Sequence, residues 1–224
     1  MDSPVLAIDT SGSFCSVALQ GVGGVVVSRH SAGEGDHFEQ LPGLVRAVCD
    51  ESHVSLGDLA HIRVGVGPGS FTGLRIGMSF AKGLAWSLRI PCVGVCSFLG
   101  AVAARGRAGA GAGRMTVVAD ARRAEVFCGE YELVGGVPSV VFEPRLVGHE
   151  KLLERAELAG MHLSPQRNLE ISGVEIHPVP EVALGLISVD VPQESFSVAD
   201  IAALEPSYIR EVSAKTIEQR RMGA

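Results

Sequence analysis

The first half of the chain changes from a strand pattern of apolar positions to a helix pattern. Residues 5–8, 14–19 and 25–28 are short apolar or β-branched runs separated by glycine turns, which predicts a three-stranded antiparallel meander. From Phe38 to Val48 the apolar residues recur at helical spacing, which predicts a helix that Pro42 should bend. The chain therefore opens with strands and continues with a helix.

Alternating strands and helices follow this helix. Residues 55–58 have the capping-box pattern of a short helix, and residues 61–65 read as a strand. A glycine-rich passage then opens a long helix from Thr72 to Leu88, followed by a buried strand at 92–95 and a helix from Ser97. This order is typical of an α/β protein in which helical crossovers join parallel strands.

A glycine-rich stretch divides the sequence, and the second part repeats the opening meander in weaker form. Strands are expected at 115–119, 124–131, 137–142, 169–172 and 174–176, with helices at 149–158 and 198–204. We therefore expect an N-terminal subdomain at 1–104, a linker at 105–114, a smaller, abbreviated C-terminal subdomain at 115–204 and a polar tail at 205–224.

Charge and cysteine content narrow the functional classes. With 19 Lys and Arg against 25 Asp and Glu, the net charge is −6, whereas a chain that grips nucleic acid unaided is normally basic. The five scattered cysteines read as reduced, buried apolar residues. No leader or membrane-spanning pattern is recognisable, so we expect a cytoplasmic protein that contacts RNA only through a partner.

Three turns carry the residue types that bind phosphate. Residues 9–12 follow the first strand, 65–77 form a glycine-rich loop before a helix, and 120–125 place two arginines between strands of the second part. Such turns suit a bound nucleotide. They suit equally well a tight turn, a capped helix with close packing, and a solvated turn with internal ion pairs. The residues concerned are Asp9, Thr10, Ser11, Gly67, Gly69, Ser70, Thr72, Gly73, Arg75, Asp120 and Arg122.

Metal and hydrolase chemistry are poorly supported. His37 is followed four positions later by Leu41 rather than by a second ligand, and Glu39 lies on another face of the helix. The sequence has neither a nucleophile-elbow motif nor a cysteine in a recognisable catalytic context. We predict no metal site and no catalytic residue.

Several motifs, in this order and at these separations, resemble those of the TsaB (YeaZ) family. They are Leu-Ala-Ile-Asp-Thr-Ser at 6–11, His-Phe-Glu-Gln-Leu-Pro at 37–42, Val-Gly-Val-Gly-Pro-Gly-Ser-Phe-Thr-Gly-Leu-Arg-Ile-Gly at 64–77, Ala-Lys-Gly-Leu-Ala at 81–85, Ile-Pro at 90–91, Asp-Ala-Arg-Arg-Ala-Glu-Val at 120–126 and Pro-Ser-Tyr-Ile-Arg at 206–210. The match is close over residues 4–131 and looser beyond them. It implies an actin/Hsp70-like, ribonuclease H-like (ASKHA) fold with two subdomains.

The resemblance also implies a function. TsaB proteins are non-catalytic relatives of TsaD, the enzyme that transfers threonylcarbamoyl to the tRNA adenosine 3′ of the anticodon. The chain would bind and stabilise a TsaD-type subunit, with a TsaE-type ATPase joining the pair and homodimerisation possible when the chain is alone. It would have no cofactor of its own, because ATP and a metal belong to the partner subunits. The interface candidates on the two long helices are His37, Phe38, Leu41, Val45, Leu74 and Met78.

Two further functions compete with this one. Asp9 and Asp120 favour a nucleotide-dependent enzyme of the actin, Hsp70 and sugar-kinase class, which would bind ATP and Mg²⁺ by itself. A metallopeptidase of the kind once attached to this superfamily would need a metal site, and the sequence offers none.

Overall fold

The computed structural model describes residues 3–31, 37–156, 161–191 and 201–209. The first part of the chain contains five strands and three helices. They are β1 (Val5–Asp9), β2 (Ser16–Gln20), β3 (Val26–His30), α1 (His37–Ser52), β4 (His61–Gly65), α2 (Phe71–Leu88), β5 (Cys92–Val95) and α3 (Ser97–Arg107). The meander, the long helices and both later strands predicted here are confirmed. The predicted short helix is a single 3-10 turn, in which Ser55 N donates to Asp58 Oδ2 (3.1 Å).

The second part of the described chain contains five strands and two helices. They are β6 (Gly113–Arg122), β7 (Glu125–Val134), β8 (Val137–Gly148), α4 (His149–Ala156), β9 (Met161–Ser164), β10 (Ile176–Pro178) and α5 (Val182–Ser188). Because α3 extends to Arg107 and β6 begins at Gly113, the connection within the glycine-rich stretch comprises only 108–112. The subdomain boundaries themselves stay a prediction.

The two parts build sheets of the same topology. The first sheet has the order β3-β2-β1-β4-β5, and the second has the order β8-β7-β6-β9-β10. In each sheet the first three strands along the chain form an antiparallel meander, and the last two strands run parallel to the first. This duplicated α/β arrangement confirms the predicted actin-like fold class.

Helices α3 and α5 lie between the two sheets, and the remaining helices cover the outer faces. On β1, Ala7 packs in the central core with α3 and α5, whereas its neighbours Leu6 and Ile8 pack against α1 and α2. On β6, Val117 belongs to the same central core, and Val118 faces a smaller outer core on the α4 side. The alternation follows from the opposite directions of successive side chains in a strand.

Helix α5 was not predicted from the sequence. Its glycine, Gly185, lies so close to α3 that an added Cβ would come within 3.0 Å of the Gly100 carbonyl group. Arg63 of β4 holds the end of the helix, since its guanidinium donates to the carbonyl oxygens of Leu186 (2.9 Å), Ile187 (3.0 Å) and Val189 (2.6 Å). Helix α5 is short and has no polar face, and its contacts with α3 and Arg63 stabilise it.

Other expectations for the second part are wrong or fall outside the described residues. The strands predicted at 169–172 and 174–176 are reduced to one bridge between Ile171 and Val174, and β10 begins at Ile176. Strand β9 was not predicted. Of the helix predicted at 198–204, residues 198–200 lie outside the described residues, and 202–204 are a turn and irregular chain. None of the described helices has the length and apolar character of a membrane span.

Candidate functional site

Asp9, at the end of β1, is buried with both carboxylate oxygens engaged. Its side chain is 1% exposed. Oδ1 accepts hydrogen bonds from Ser11 N (3.0 Å) and Ser11 Oγ (2.7 Å), and Oδ2 accepts one from Ser97 Oγ (2.6 Å). Burial raises the pKa of the carboxyl above its ordinary value, although these hydrogen bonds oppose the rise. The carboxylate thus joins β1 to the start of α3 and does not fit the role of a ligand for hydrated Mg²⁺.

The glycine-rich string packs directly on the turn after β1. An added Cβ at any of four glycines, each four positions from the next, would come within 3.0 Å of this turn; they are Gly65, Gly69, Gly73 and Gly77. At Gly69 and Gly73 the obstacles are the backbone carbonyl groups of Ser11 and Thr10. Since main-chain atoms cannot move aside, these positions exclude any side chain. The string is a packing surface for the turn.

Hydrogen bonds complete this contact and cap α2. Ser70 N donates to the Ser11 carbonyl (2.7 Å), and Thr10 Oγ1 donates to the Gly73 carbonyl (2.7 Å). Ser70 Oγ accepts from Gly73 N (3.1 Å), so of the two hydroxyl residues Ser70 and Thr72 that could cap the helix, Ser70 is the N-cap. Gly67 has a positive φ of 101°, which favours glycine at that position. The capped-helix interpretation of the loop is therefore confirmed.

A loop of the second part covers the turn from the other side. Gly12 touches Pro165 so closely that an added Cβ would come within 3.0 Å of its carbonyl group. Ser13 N donates to the Pro165 carbonyl (3.2 Å), and Ser13 Oγ accepts from Arg167 N (3.3 Å). Protein atoms therefore occupy the space beside the β1–β2 turn.

The β6–β7 turn of the second part is open by comparison. Arg122, Arg123 and Ala124 have φ values of 66°, 59° and 57°, three consecutive left-handed residues without a glycine. Asp120 Oδ1 accepts from Arg122 N (2.7 Å), and the Arg122 guanidinium pairs with Asp120 Oδ2 (3.2 Å). Arg123 is exposed and has no hydrogen-bond or ion-pair partner among the residues described.

A cleft of about 590 Å³ brings this turn together with the start of α2. Of the residues that the sequence offered either for a nucleotide or for a structural turn, those lining the cleft are Gly69, Ser70, Thr72, Asp120 and Arg122. Asp9, Thr10, Ser11, Gly67 and Gly73 are used in packing instead. Arg75 lies beside the cleft, where its guanidinium stacks on the Phe71 ring (3.9 Å).

Eight cleft residues were not among the sequence candidates. They include Phe71, Arg123, Gln166 and Tyr208. Tyr208 is positioned from the far end of the chain because Ser207 N donates to the Val66 carbonyl (2.8 Å), and its ring stacks on Phe71 with centroids 5.4 Å apart. The tail motif at 206–210, one of those that resemble the family, was the signal in the sequence that pointed to Tyr208.

A second feature of the surface is an apolar groove between α1 and α2. Two cavities, of about 560 and 670 Å³, share Phe80 and follow the helix pair. We call this surface the α1–α2 groove, and its large apolar lining residues include Phe38, Phe71, Ile76, Phe80 and Leu84. Phe38 is 72% exposed, an unusual state for an aromatic side chain.

Only part of the predicted interface set lies on this surface. Leu41 and Val45 line the groove although they are almost fully buried, whereas Leu74 and Met78 are buried and do not line it. His37 Nε2 lies 3.1 Å from the Gly12 carbonyl and is half-buried. Phe38 is thus the predicted residue most available to a partner. The interface itself stays a prediction.

The cysteines and the potential metal ligands do not form a reactive site. All five cysteines are free thiols, and burial raises the pKa of Cys15 and Cys92 to about 12. Within the described ranges, no three His, Cys, Asp or Glu side chains are grouped to hold a metal ion. These thiols are neutral apolar packing residues at physiological pH.

Comparisons with known proteins point to one family. The family profile described as TsaD, tRNA N6-adenosine threonylcarbamoyltransferase, matches residues 18–217. The tRNA threonylcarbamoyladenosine biosynthesis protein TsaB of Bacillus subtilis is 30% identical over 97% of this chain and 99% of its own length. The Escherichia coli protein of the same name is 34% identical, over 66% of this chain and 65% of its own length.

Solved structures agree with the sequence relatives. YeaZ from Pseudomonas aeruginosa superposes with a TM-score of 0.70 at 31% identity, covering 84% of this chain and 90% of that one. A second structure, titled an uncharacterized protein with similarity to peptidase YEAZ from Pseudomonas aeruginosa, gives a TM-score of 0.72 at 28% identity. It covers 93% of this chain and 100% of that one.

Proposed function

The chain belongs to the TsaB (YeaZ) family, and on that premise we propose that it is a non-catalytic subunit in the formation of threonylcarbamoyladenosine on tRNA. The chain binds and stabilises a TsaD-type transferase, which acts on the adenosine 3′ of the anticodon. A TsaE-type ATPase joins the pair, and ATP and the metal belong to those subunits. The named relatives support the pathway, and the α1–α2 groove is the observation that supports a binding role.

The groove has the character of a protein interface. Exposed aromatic rings at the centre of a concave apolar surface are the usual anchors of protein association. Phe38 and Phe71 stand at one end of the groove, and the buried residues Leu41 and Met78 fix the two helices beneath it. A rigid two-helix platform of this kind suits a helical surface on the partner.

The same side chains support an accessory role rather than a catalytic one. His37 contacts the backbone at Gly12, and Leu41, one helical turn later, is in the core. Both Asp9 oxygens accept hydrogen bonds from protein groups. The competing hypothesis, a nucleotide-dependent enzyme that works alone, needs Asp9 open to a hydrated metal, and no contact of Asp9 favours it.

Pairing with the transferase tests the proposal. The chain and TsaD from the same organism should co-purify, and omitting the chain should abolish or strongly reduce tRNA modification. Phe38→Ala should weaken pairing in calorimetry by about 10- to 100-fold, because an exposed aromatic anchor contributes about 1.5–3 kcal/mol. The fold should be unaffected, since the Phe38 side chain is largely exposed.

Phe142→Ala is the matched control, since this phenylalanine is also exposed but lies on β8 in the other sheet. It should pair with TsaD as the wild type does. Modification of tRNA by the chain alone, or equal pairing of the Phe38 and Phe142 variants, would contradict the proposed role.

A further inference from the structure

The glycine-rich stretch between the two halves carries three arginines that the partner-binding function does not use. We propose that this stretch, residues 105–114, contacts the phosphate backbone of RNA, with Arg107 and Arg114 as the phosphate-binding side chains. We call it the arginine–glycine loop. The identity of the RNA as a tRNA rests on the proposed function, whereas the argument for the surface rests on the charge and geometry of the loop.

The charge of the loop is opposite to that of the chain. Its ten residues include three arginines and no Asp or Glu, in a chain whose net charge is −6. The remaining residues are all Gly or Ala, so no side chain within the loop competes for the guanidinium groups. A local excess of arginine is the electrostatic footprint of a phosphate-binding surface. Although the overall charge predicts RNA contact through a partner, the loop adds a direct contact.

Two of the arginines are placed to reach a ligand. Arg107 at the end of α3 and Arg114 at the start of β6 are both exposed. Arg107 Nη1 donates to Ser188 Oγ (3.0 Å), a neutral partner that leaves the positive charge uncompensated. Glu132 lies opposite Arg114 in the β6–β7 ladder, but Arg114 forms no ion pair or side-chain hydrogen bond with any residue that the structure describes. Both guanidinium groups can therefore bind phosphate oxygens.

The backbone between these two arginines is open to a bulky polyanion. An added Cβ at Gly109, Gly111 or Gly113 would meet nothing within 4 Å, so no other part of the described chain covers the loop. Because the side chains are small, a sugar–phosphate backbone can lie directly on it. The loop has no aromatic side chain on which a base could stack. It is therefore suited to phosphate contacts that do not depend on the base sequence.

The loop lies apart from the two surfaces described above. Helix α3 begins at Ser97, beside Asp9, and its eleven residues carry the chain about 16 Å towards the opposite edge of the sheets. The half-buried Arg105 anchors this end of the helix by donating from Nη2 to Met161 Sδ (3.5 Å). None of the loop residues lines the cleft or the α1–α2 groove. RNA contact and partner binding can therefore be tested separately.

Binding of the full-length chain to an unmodified tRNA transcript should be measured by fluorescence anisotropy over a range of salt concentrations. We expect a Kd of about 100 μM or below at about 50 mM salt, with a logarithm of the affinity that falls linearly with the logarithm of the salt concentration. Vesicles of phosphatidylglycerol and phosphatidylcholine should be measured in parallel. Binding to the vesicles but not to the tRNA would overturn the proposal and identify an anionic lipid surface as the partner.

Two double variants with the same change of charge make the test specific. Arg107→Gln with Arg114→Gln keeps both exposed side chains polar, so it should fold. It should weaken tRNA binding by about 10-fold or more and reduce the salt slope by about two, one for each lost phosphate contact. Arg29→Gln with Arg46→Gln is the control, because these exposed arginines of β3 and α1 are each in an ion pair, and it should bind tRNA as the wild type does. Equal affinity of the two double variants, or no tRNA binding at about 100 μM, would overturn the proposal.

The same loop variant separates this contact from the proposed function. It should pair with TsaD as the wild type does, because its substitutions lie outside the α1–α2 groove. A chain that binds tRNA through the loop but does not pair with TsaD would contradict the proposed function and support the RNA contact. A chain that pairs with TsaD but binds tRNA equally well with and without the two arginines would contradict the RNA contact alone.

Discussion

The two halves of the molecule share a strand order, but the turn after the first strand is buried in the first half and exposed in the second. In the first half Asp9 is buried and the turn is enclosed by the glycine string and by Pro165. In the second half Asp120 sits before an exposed turn that contains two arginines. The difference arises from the covering elements, because α2 covers the first turn and has no helical counterpart between β9 and β10. A shared topology therefore does not preserve the exposure of this turn.

The first half has an apolar groove beside the helix that the second half lacks. With α1 and α2 side by side, the first sheet carries a two-helix layer with a groove on its outer side. Among the described residues, the second sheet carries α4 and irregular chain on its outer face, with a small core around Val118 and Leu152. The first half thus serves the proposed partner binding, and the second half contributes the arginine turn.

The largest expected effect comes from breaking the cover over the first turn. Gly73→Ala places a Cβ against the Thr10 carbonyl, which the backbone can relieve only by moving α2 away from β1. We expect a loss of about 3–5 kcal/mol in the free energy of unfolding, measured by urea denaturation. Gly83→Ala on the same helix is the control, since nothing lies within 4 Å of its added Cβ, and it should stabilise by about 0.5–1 kcal/mol. Equal stability of the two variants would contradict the packing role of the string.

The strands of the first half could be predicted because each is a short apolar run bounded by glycine, and the helices because their apolar spacing is regular. Helix α5 escaped prediction because its seven residues, Val182–Ser188, are nearly all apolar and have no polar face to set a period. It is helical because Arg63 binds its last carbonyls and Gly185 lets α3 approach. The residues that contact the helix, Arg63 and Gly100, lie far away in the sequence.

The sequence predicted which motifs lie at the site, but it did not predict whether each motif packs or faces the cleft. The sequence placed Asp9 and the glycine string at a ligand, or alternatively in packing, because the same residue types serve both. The short distances from the glycine string to Thr10 and Ser11 show that these residues pack against each other, and the sequence does not contain those distances. Tyr208 reaches the cleft from the tail, more than 130 residues from Phe71 in sequence, and no local pattern carries that contact.

A smaller effect should separate the two aspartates. Asp9→Asn removes an acceptor from a buried cluster in which Ser11 and Ser97 donate, so we expect a loss of about 1–3 kcal/mol at neutral pH. Asp120→Asn keeps an oxygen that can accept from Arg122 N, so it weakens mainly the partly exposed ion pair with the Arg122 guanidinium and should cost about 1 kcal/mol or less. The free energy of unfolding of both variants, measured in urea, tests this difference.

The pH dependence of Asp9→Asn sharpens this comparison. Burial raises the pKa of Asp9 in the folded state above its ordinary value of 3.8, so the folded chain holds the proton at pH values where the unfolded chain has lost it. The contribution of Asp9 to stability therefore falls as the pH rises from about 4 towards the folded-state pKa. The advantage of the wild type over Asp9→Asn should be smaller at the upper end of this window. An advantage that grows with pH would mean that the hydrogen bonds outweigh burial.

The smallest expected effect concerns the strained turn of the second half. Ala124 has a φ of 57°, a conformation that costs a residue with a Cβ about 1–2 kcal/mol. Ala124→Gly removes that cost but adds about 0.5–1 kcal/mol of backbone entropy in the unfolded chain. The variant should therefore be more stable by about 0.5–1 kcal/mol in urea denaturation, whereas a glycine variant of a strain-free exposed alanine should be less stable. Ala47 of α1 is such an alanine, and Ala47→Gly should lose about 1 kcal/mol. If both variants lost stability alike, the left-handed turn would not be a site of strain.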